Sequence, residues 1–245
     1  MDALLLSSKQ YDRVLEGVVT TVQLLGASFV LGVVLSLLFG VARLSDRSWV
    51  RGAALVYVEF ARGISTIVLL FIMAYAIPIL LGLEQSNVFW LATVALGVNM
   101  GGYGAEIIRG AILSVPKGQT EASIALNLTN TQRLRFVVLP QALRVILPPM
   151  GNLTIEILKG TALVSLVGMS DLTFEIDKLN TNRVLADDPV DTSILYLNAL
   201  VIYFLLAQII NGLFRLGERW VERKYEGEAG ESPEVDESTA IGVAK

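Results

Sequence analysis

The chain contains no cysteine and no histidine. The first absence excludes disulfides and thiolate metal sites. The second removes the commonest metal ligand and the side chain most used as a general base near neutral pH. Charge is also scarce: of 245 residues 17% are Asp, Glu, Lys or Arg against 53% hydrophobic, and mean hydropathy is +0.61. That balance indicates a membrane protein. The spacing of the few charges settles the point. Twenty-six residues separate Glu16 from Arg43 with no charge between them, and 23 separate Asp191 from Arg215. Runs of 21 lie between Arg62 and Glu84 and between Glu84 and Glu106. A helix needs about 20 apolar residues to cross a hydrocarbon core of about 30 Å. Helices buried in a large soluble protein would carry charges every turn or two on an outer face, and these do not.

Spans are therefore expected near residues 17–42, 63–83, 87–108, 146–169 and 193–214, with Glu156 and Lys159 interrupting the fourth. Pro148, Pro149, Gly151 and Gly160 loosen the same span. Such a segment survives where it lines a cavity or packs inside protein. No basic stretch precedes the first apolar run, so that run is expected to stay as a span instead of being cleaved. Twelve Lys and Arg residues fall on one side of these spans and four on the other. The positive-inside rule puts the twelve in the cytoplasm, the N-terminus outside and the C-terminus inside. The net charge of −4 carries no partner signal, because much of the acid sits in residues 218–245, an acidic tail expected to be disordered. Residues 1–16 form a short extracytoplasmic N-terminus, and 17–217 the transmembrane domain.

Two stripes of small residues, Ser28, Gly32, Ser36 and Gly40 in the first span and Gly97, Gly101 and Ala105 in the third, suit close helix packing. Glu59 with Arg62 and Glu106 with Arg109 stand three residues apart at span ends, the spacing of interfacial ion pairs. Glu156 and Lys159 share that spacing. Either they form a structural pair, or with Asn152 and Thr161 they line a substrate path.

Residues 114–145 break the apolar pattern. Ser114 is a candidate N-cap and Pro116 a first-turn residue of a short helix. Ala122, Ala125, Leu126 and Thr129 fall on one face of it. Asn127 tolerates the left-handed conformation that ends it. Thr129 to Gln132 reads as a capping box opening a second helix, which Pro140 should end. The segment is then either a docking surface or an amphipathic hairpin on the headgroups.

No G-x-x-x-x-G-K-[ST] phosphate cradle is present; Lys117-Gly118 runs in the reverse order. Nor is there an internal repeat with membrane carboxylates, as an ion-coupled secondary transporter would want. That reading remains the alternative. An enzyme built without histidine, cysteine or a metal cluster is disfavoured, and no nucleic-acid partner is indicated.

The stretch Glu121-Ala122-Ser123-Ile124-Ala125-Leu126-Asn127 resembles the EAA loop of permease subunits of ABC importers. "YVEFARG", "YGAEIIRGAILSVPKGQTEA", "VVLPQALRVILPPMGN" and "LKGTALVSLVGMSDL" extend the resemblance to the polar amino-acid branch over nearly the whole chain except the tail. It implies an all-α membrane protein of five transmembrane helices with the type I importer permease (MetI-like) fold. It implies a plasma-membrane subunit without its own cofactor, ATP and magnesium belonging to a partner. Glu121, Ala122, Ala125, Leu126, Asn127 and Leu128 would couple it to a cytoplasmic ATPase dimer. A second permease, identical or similar, and an extracytoplasmic solute-binding protein complete the implied assembly, with a polar or zwitterionic solute as cargo. Asn127 replaces the family's usual glycine and can serve the same turn. Ile64-Ser65 replaces Thr-Pro, so the second span should start less kinked. Gly160 replaces an aspartate, which disfavours cationic cargo. "ALN" and "LKGTALVSL" resemble ectoine and hydroxyectoine permeases within the branch.

Overall fold

The computed structural model describes residues 8–82, 87–185 and 192–229. The first helix, α1 (Ser8–Ala42), starts nine residues before the expected span. It is held there because Val14 packs in a small core with Leu172, Ile176, Leu179 and Leu195. Helix α2 (Ser48–Gly63) lies between the first two expected spans. Its buried Ala54, Val58 and Ala61 form a helical stripe that could have disclosed it. A 100° bend then leads into α3 (Thr66–Leu81). The second span, expected to start less kinked, begins at this bend. Ile64 and Ser65 are both extended, and the last carbonyls of α2 find donors on another helix. Asn99 Nδ2 donates to Ala61 O at 3.2 Å and the Tyr103 hydroxyl to Arg62 O at 3.4 Å. The bend is thus supplied from outside the local sequence, without the family's proline.

Helix α4 (Val88–Ser114) is capped by Asn87, whose Oδ1 accepts from Phe89 N at 2.9 Å. Short α5 (Lys117–Ala125) follows, then α6 (Asn130–Val167), a continuous helical run. Pro140 does not end it. A π-helical turn at Leu134–Val138 lets Leu139 N bond Leu134 O, so the ring that cannot fit an i−4 carbonyl is accommodated. Two further helices follow among the described residues, α7 (Leu172–Leu185) and α8 (Thr192–Ala229). Residues 218–229, expected to belong to a disordered tail, are helical, and Val221 is buried on the bundle. Residues 230–245 of that tail lie outside the described residues, as does 186–191 of the expected outer loop.

The fold is all-α and multi-spanning: among the described residues α1, α4, α6 and α8 are long and apolar enough to cross a membrane, and counting the bent α2–α3 pair as one span brings the number to five. Leu24, Leu96, Met100, Met150 and Leu158 form the centre of the main core. The small-residue stripes of α1 and α4 face each other. A Cβ on Gly32 would stand 2.6 Å from Met100 Sδ, and one on Gly40 would stand 2.9 Å from the Ala105 carbonyl oxygen. The backbones meet too closely for any side chain there.

Candidate functional sites: an exposed handle and a polar groove

The segment after α4 is built by local rules. Ser114 is the last residue of α4 and its hydroxyl donates to Ala111 O at 2.8 Å, so it does not cap α5; Pro116 holds the cap position instead. At the other end Asn127 takes φ 56°, as expected of a left-handed stop. Leu126 N donates to Ala122 O, Asn127 N to Ile124 O and Leu128 N to Ser123 O, which satisfies the terminal carbonyls. The capping box also forms: Thr129 N donates to Gln132 Oε1 at 2.9 Å and Gln132 N to Thr129 Oγ1 at 3.3 Å. Gln141 Nε2 reaches Gln119 Oε1 at 3.3 Å and braces α5 against α6.

The result is a projection whose expected coupling face is open to solvent. Glu121, Ala122, Ala125 and Asn127 are exposed, Leu128 is half-buried, and Leu126 keeps 74% of its surface. Ile124 beside it keeps 55%. An apolar pair so exposed on a polar segment marks a contact surface. Beneath it lies an open space of about 910 Å³, with Glu121, Lys117, Asp46 and Arg133 on its walls.

The second site is a groove of about 340 Å³ between α2, α4 and α6. Asn152 and Glu156 line it from α6, with Arg62, Tyr103 and Glu106 opposite. Arg62 lies over the Tyr103 ring at 5.6 Å and approaches Glu59 at 4.0 Å. Glu106 takes Arg109 at 2.9 Å, the expected pair, and also Arg43, in the turn just after α1, at 2.6 Å. Arg43 was missed because it is 63 residues away in sequence. Asn99, Tyr103 and Glu106 stand at helical spacing on α4, a polar stripe in an apolar span that could have identified this wall. Lys159 continues the exposed face of α6 without lining the groove. Among the described residues no ion pair joins it to Glu156. Thr161 is fully buried away from this face, its hydroxyl donating to Leu158 O at 2.6 Å.

Asp171, in the turn after α6, is wholly buried and caps α7. Its carboxylate accepts from Thr173 N at 3.1 Å, Phe174 N at 3.0 Å and the Tyr203 hydroxyl at 3.4 Å. Next to it Leu172 N donates to Thr21 Oγ1 of α1 at 3.1 Å. Burial pushes the Asp171 carboxyl up to about 6, against the pull of its hydrogen bonds.

Residues 28–223 match the family described as binding-protein-dependent transport system inner membrane component. A probable amino-acid ABC transporter permease of Sinorhizobium fredii is 37% identical over 211 residues, covering 84% of this chain and 86% of the relative. The L-cystine transport system permease TcyB of Bacillus subtilis is 35% identical over 214 residues, with the same coverage of 84% and 86%. Among solved structures, an amino acid ABC transporter crystallised with histidines superposes with a TM-score of 0.75 at 30% identity, covering 86% of this chain and 95% of that one. An inward-facing methionine ABC transporter shares the fold at a TM-score of 0.72 and 22% identity, covering 88% and 99%.

Proposed function

The chain belongs to the family of binding-protein-dependent transport system inner membrane components, and from that premise we propose that it is the permease subunit of an ATP-driven importer for amino acids or related zwitterionic solutes. The handle carries the reading. A short helix with exposed Ile124 and Leu126, stopped by a left-handed Asn127 and braced by its own capping box, suits insertion into a groove of a separate ATPase. Glu121, Ala122, Ala125, Leu126, Asn127 and Leu128 form the contact. Two ATPases bind below, a second permease of the same or similar sequence completes the pathway, and a solute-binding protein delivers cargo from outside. Closure of the ATPases tilts the handle, and because α5 is braced on α6 the motion reaches the spans as a rigid-body switch. Residues 1–16 face outward, and 114–145 and everything after residue 214 face the cytoplasm.

Cargo passes along the face of α6 that carries Asn152, Glu156 and Lys159, with Thr161 supporting the backbone behind it. The groove offers both signs of charge, Glu156 on one wall and Arg62 opposite, which suits a solute bearing a carboxylate and a cationic centre. The similar permeases of Sinorhizobium fredii and Bacillus subtilis, for amino acids and L-cystine, support that class. Ectoine and hydroxyectoine are the solutes to assay first, on the strength of the "LKGTALVSL" motif.

The deciding experiment substitutes the handle. Glu121→Lys or Ala125→Trp places a reversed charge or an added ring in the contact. Uptake and co-purification of the ATPase should both be lost while membrane insertion persists. Variants that still transport and still retain the ATPase would exclude the coupling role.

A further inference from the structure

Helices α1 and α8 touch at the Phe29–Phe214 ring pair without packing along their length. Helix α8 packs on α6 and α7 and leaves an apolar groove against α1 that extends from Leu206 to Val221. Its upper part, about 300 Å³, has one polar lining residue, Thr154, whose hydroxyl is already committed to Met150 O at 2.7 Å. The lower part, about 550 Å³, shares Phe29 and Phe214 with the upper. The two rings meet edge to face at 6.2 Å and floor both halves. Fifteen residues of helix rise about 22 Å, longer than the roughly 15 Å of hydrocarbon in one leaflet. At the lower mouth stand Arg135 and Trp220, both exposed. Arg135 pairs with no carboxylate among the described residues and lies over the Phe136 ring at 5.7 Å.

We propose that this groove holds one anionic phospholipid of the cytoplasmic leaflet, an acyl chain lying over Phe29 and Phe214 and the headgroup phosphate on Arg135. Charge complementarity selects the occupant. A groove apolar along its length with one unneutralised guanidinium at its mouth fits an amphiphile with an anionic end, and not a polar solute. The orientation proposed above sets Arg135 on the inner surface, where anionic headgroups collect. Trp220 stands at the same mouth, a residue suited to headgroup depth. The lipid fills the space between α1 and α8 and fixes the distance between them.

Phosphatidylglycerol is the probe and phosphatidylcholine the reference, both offered to the full chain in nanodiscs. Native mass spectrometry counts the lipids that stay bound after mild delipidation. Phosphatidylglycerol should be retained over phosphatidylcholine by about fivefold, the effect of one basic residue near a membrane surface. Arg135→Glu should abolish the preference, while Arg47→Glu, an equal charge change on an exposed residue outside the groove, should leave it intact. Gly26→Trp fills the upper groove, since open space surrounds that position, and should lower retention of both lipids. Equal retention of the two lipids by the unmodified chain would overturn the proposal. So would full phosphatidylglycerol retention by Gly26→Trp, which makes Arg135 a headgroup contact without a seat. A disulfide between copies through Leu213→Cys would overturn it too, by seating a second chain in the groove.

Discussion

Glu106 is reached by two arginines, one on its own helix and one in the turn just after α1, with its side chain only about a fifth exposed. Removing its charge by Glu106→Gln leaves two partly buried cations facing each other, so α1 and α4 should separate at that end. Glu156 and Lys159 behave differently, because among the described residues no ion pair joins them. In a double-mutant cycle of uptake, Glu156→Gln and Lys159→Met should each impair transport, and the double variant should be no better than the worse of the two. Full recovery in the double variant would mean a structural pair and would remove both residues from the substrate path. Asp171 makes a pH prediction. Its carboxyl is raised from 3.8 to about 6 by burial, so the fold favours the neutral acid. The stabilisation is complete below the unfolded value near 4 and is lost as pH rises through 6. Melting of the purified chain should therefore fall by several degrees between pH 5 and 7.5. Asp171→Asn keeps an N-cap acceptor without the charge and should flatten that dependence. An unchanged slope in the Asn variant would assign the pH effect to another group.

Single elements are shaped by a few unusual backbone choices. Each of the two π-helical turns, Ile72–Ala76 and Leu134–Val138, ends two residues before a proline, Pro78 and Pro140. In both, an amide bonds five residues back, Ile77 to Ile72 and Leu139 to Leu134. The widened turn lets a proline sit inside a span without ending it. Asn127 is the described non-glycine residue with positive φ. Asn127→Gly should be neutral for coupling. Asn127→Val strains the turn by about 1–2 kcal/mol and should weaken ATPase retention without affecting expression. Gly32 tests helix packing in the same way. A valine there collides with Met100, and overpacking of this kind costs about 1–3 kcal/mol, so Gly32→Val should lower the yield of folded protein in the membrane.

For the whole molecule, orientation is the property to measure. The native chain has no cysteine, so single cysteines report accessibility without background. Cysteine at Gln132, exposed on the handle, should react with a membrane-impermeant maleimide only after permeabilisation. Cysteine at Lys178, exposed on α7, should react in intact cells. Labelling in the opposite sense would reverse the proposed topology and detach the handle from any cytoplasmic partner.

By itself the sequence determined the class of the molecule. A helix in hydrocarbon must be long and nearly free of charge, so the charge-free runs disclosed the spans. The left-handed stop at Asn127 and the capping box at Thr129 were legible for a related reason: both close through bonds between residues no more than five apart. Prolines and the extended Ile64–Ser65 pair were less legible, because their outcome rests on partners elsewhere in the chain. Asn99 and Tyr103 satisfy the carbonyls that make a 100° bend tolerable. The polar groove likewise joins residues from three helices, and Arg43 reaches Glu106 across 63 positions. Only tertiary structure decided that Glu156 faces Arg62 across open space while Lys159 stands apart. Side-chain spacing along one helix says which residues share a face, and the packing of other helices determines what that face meets.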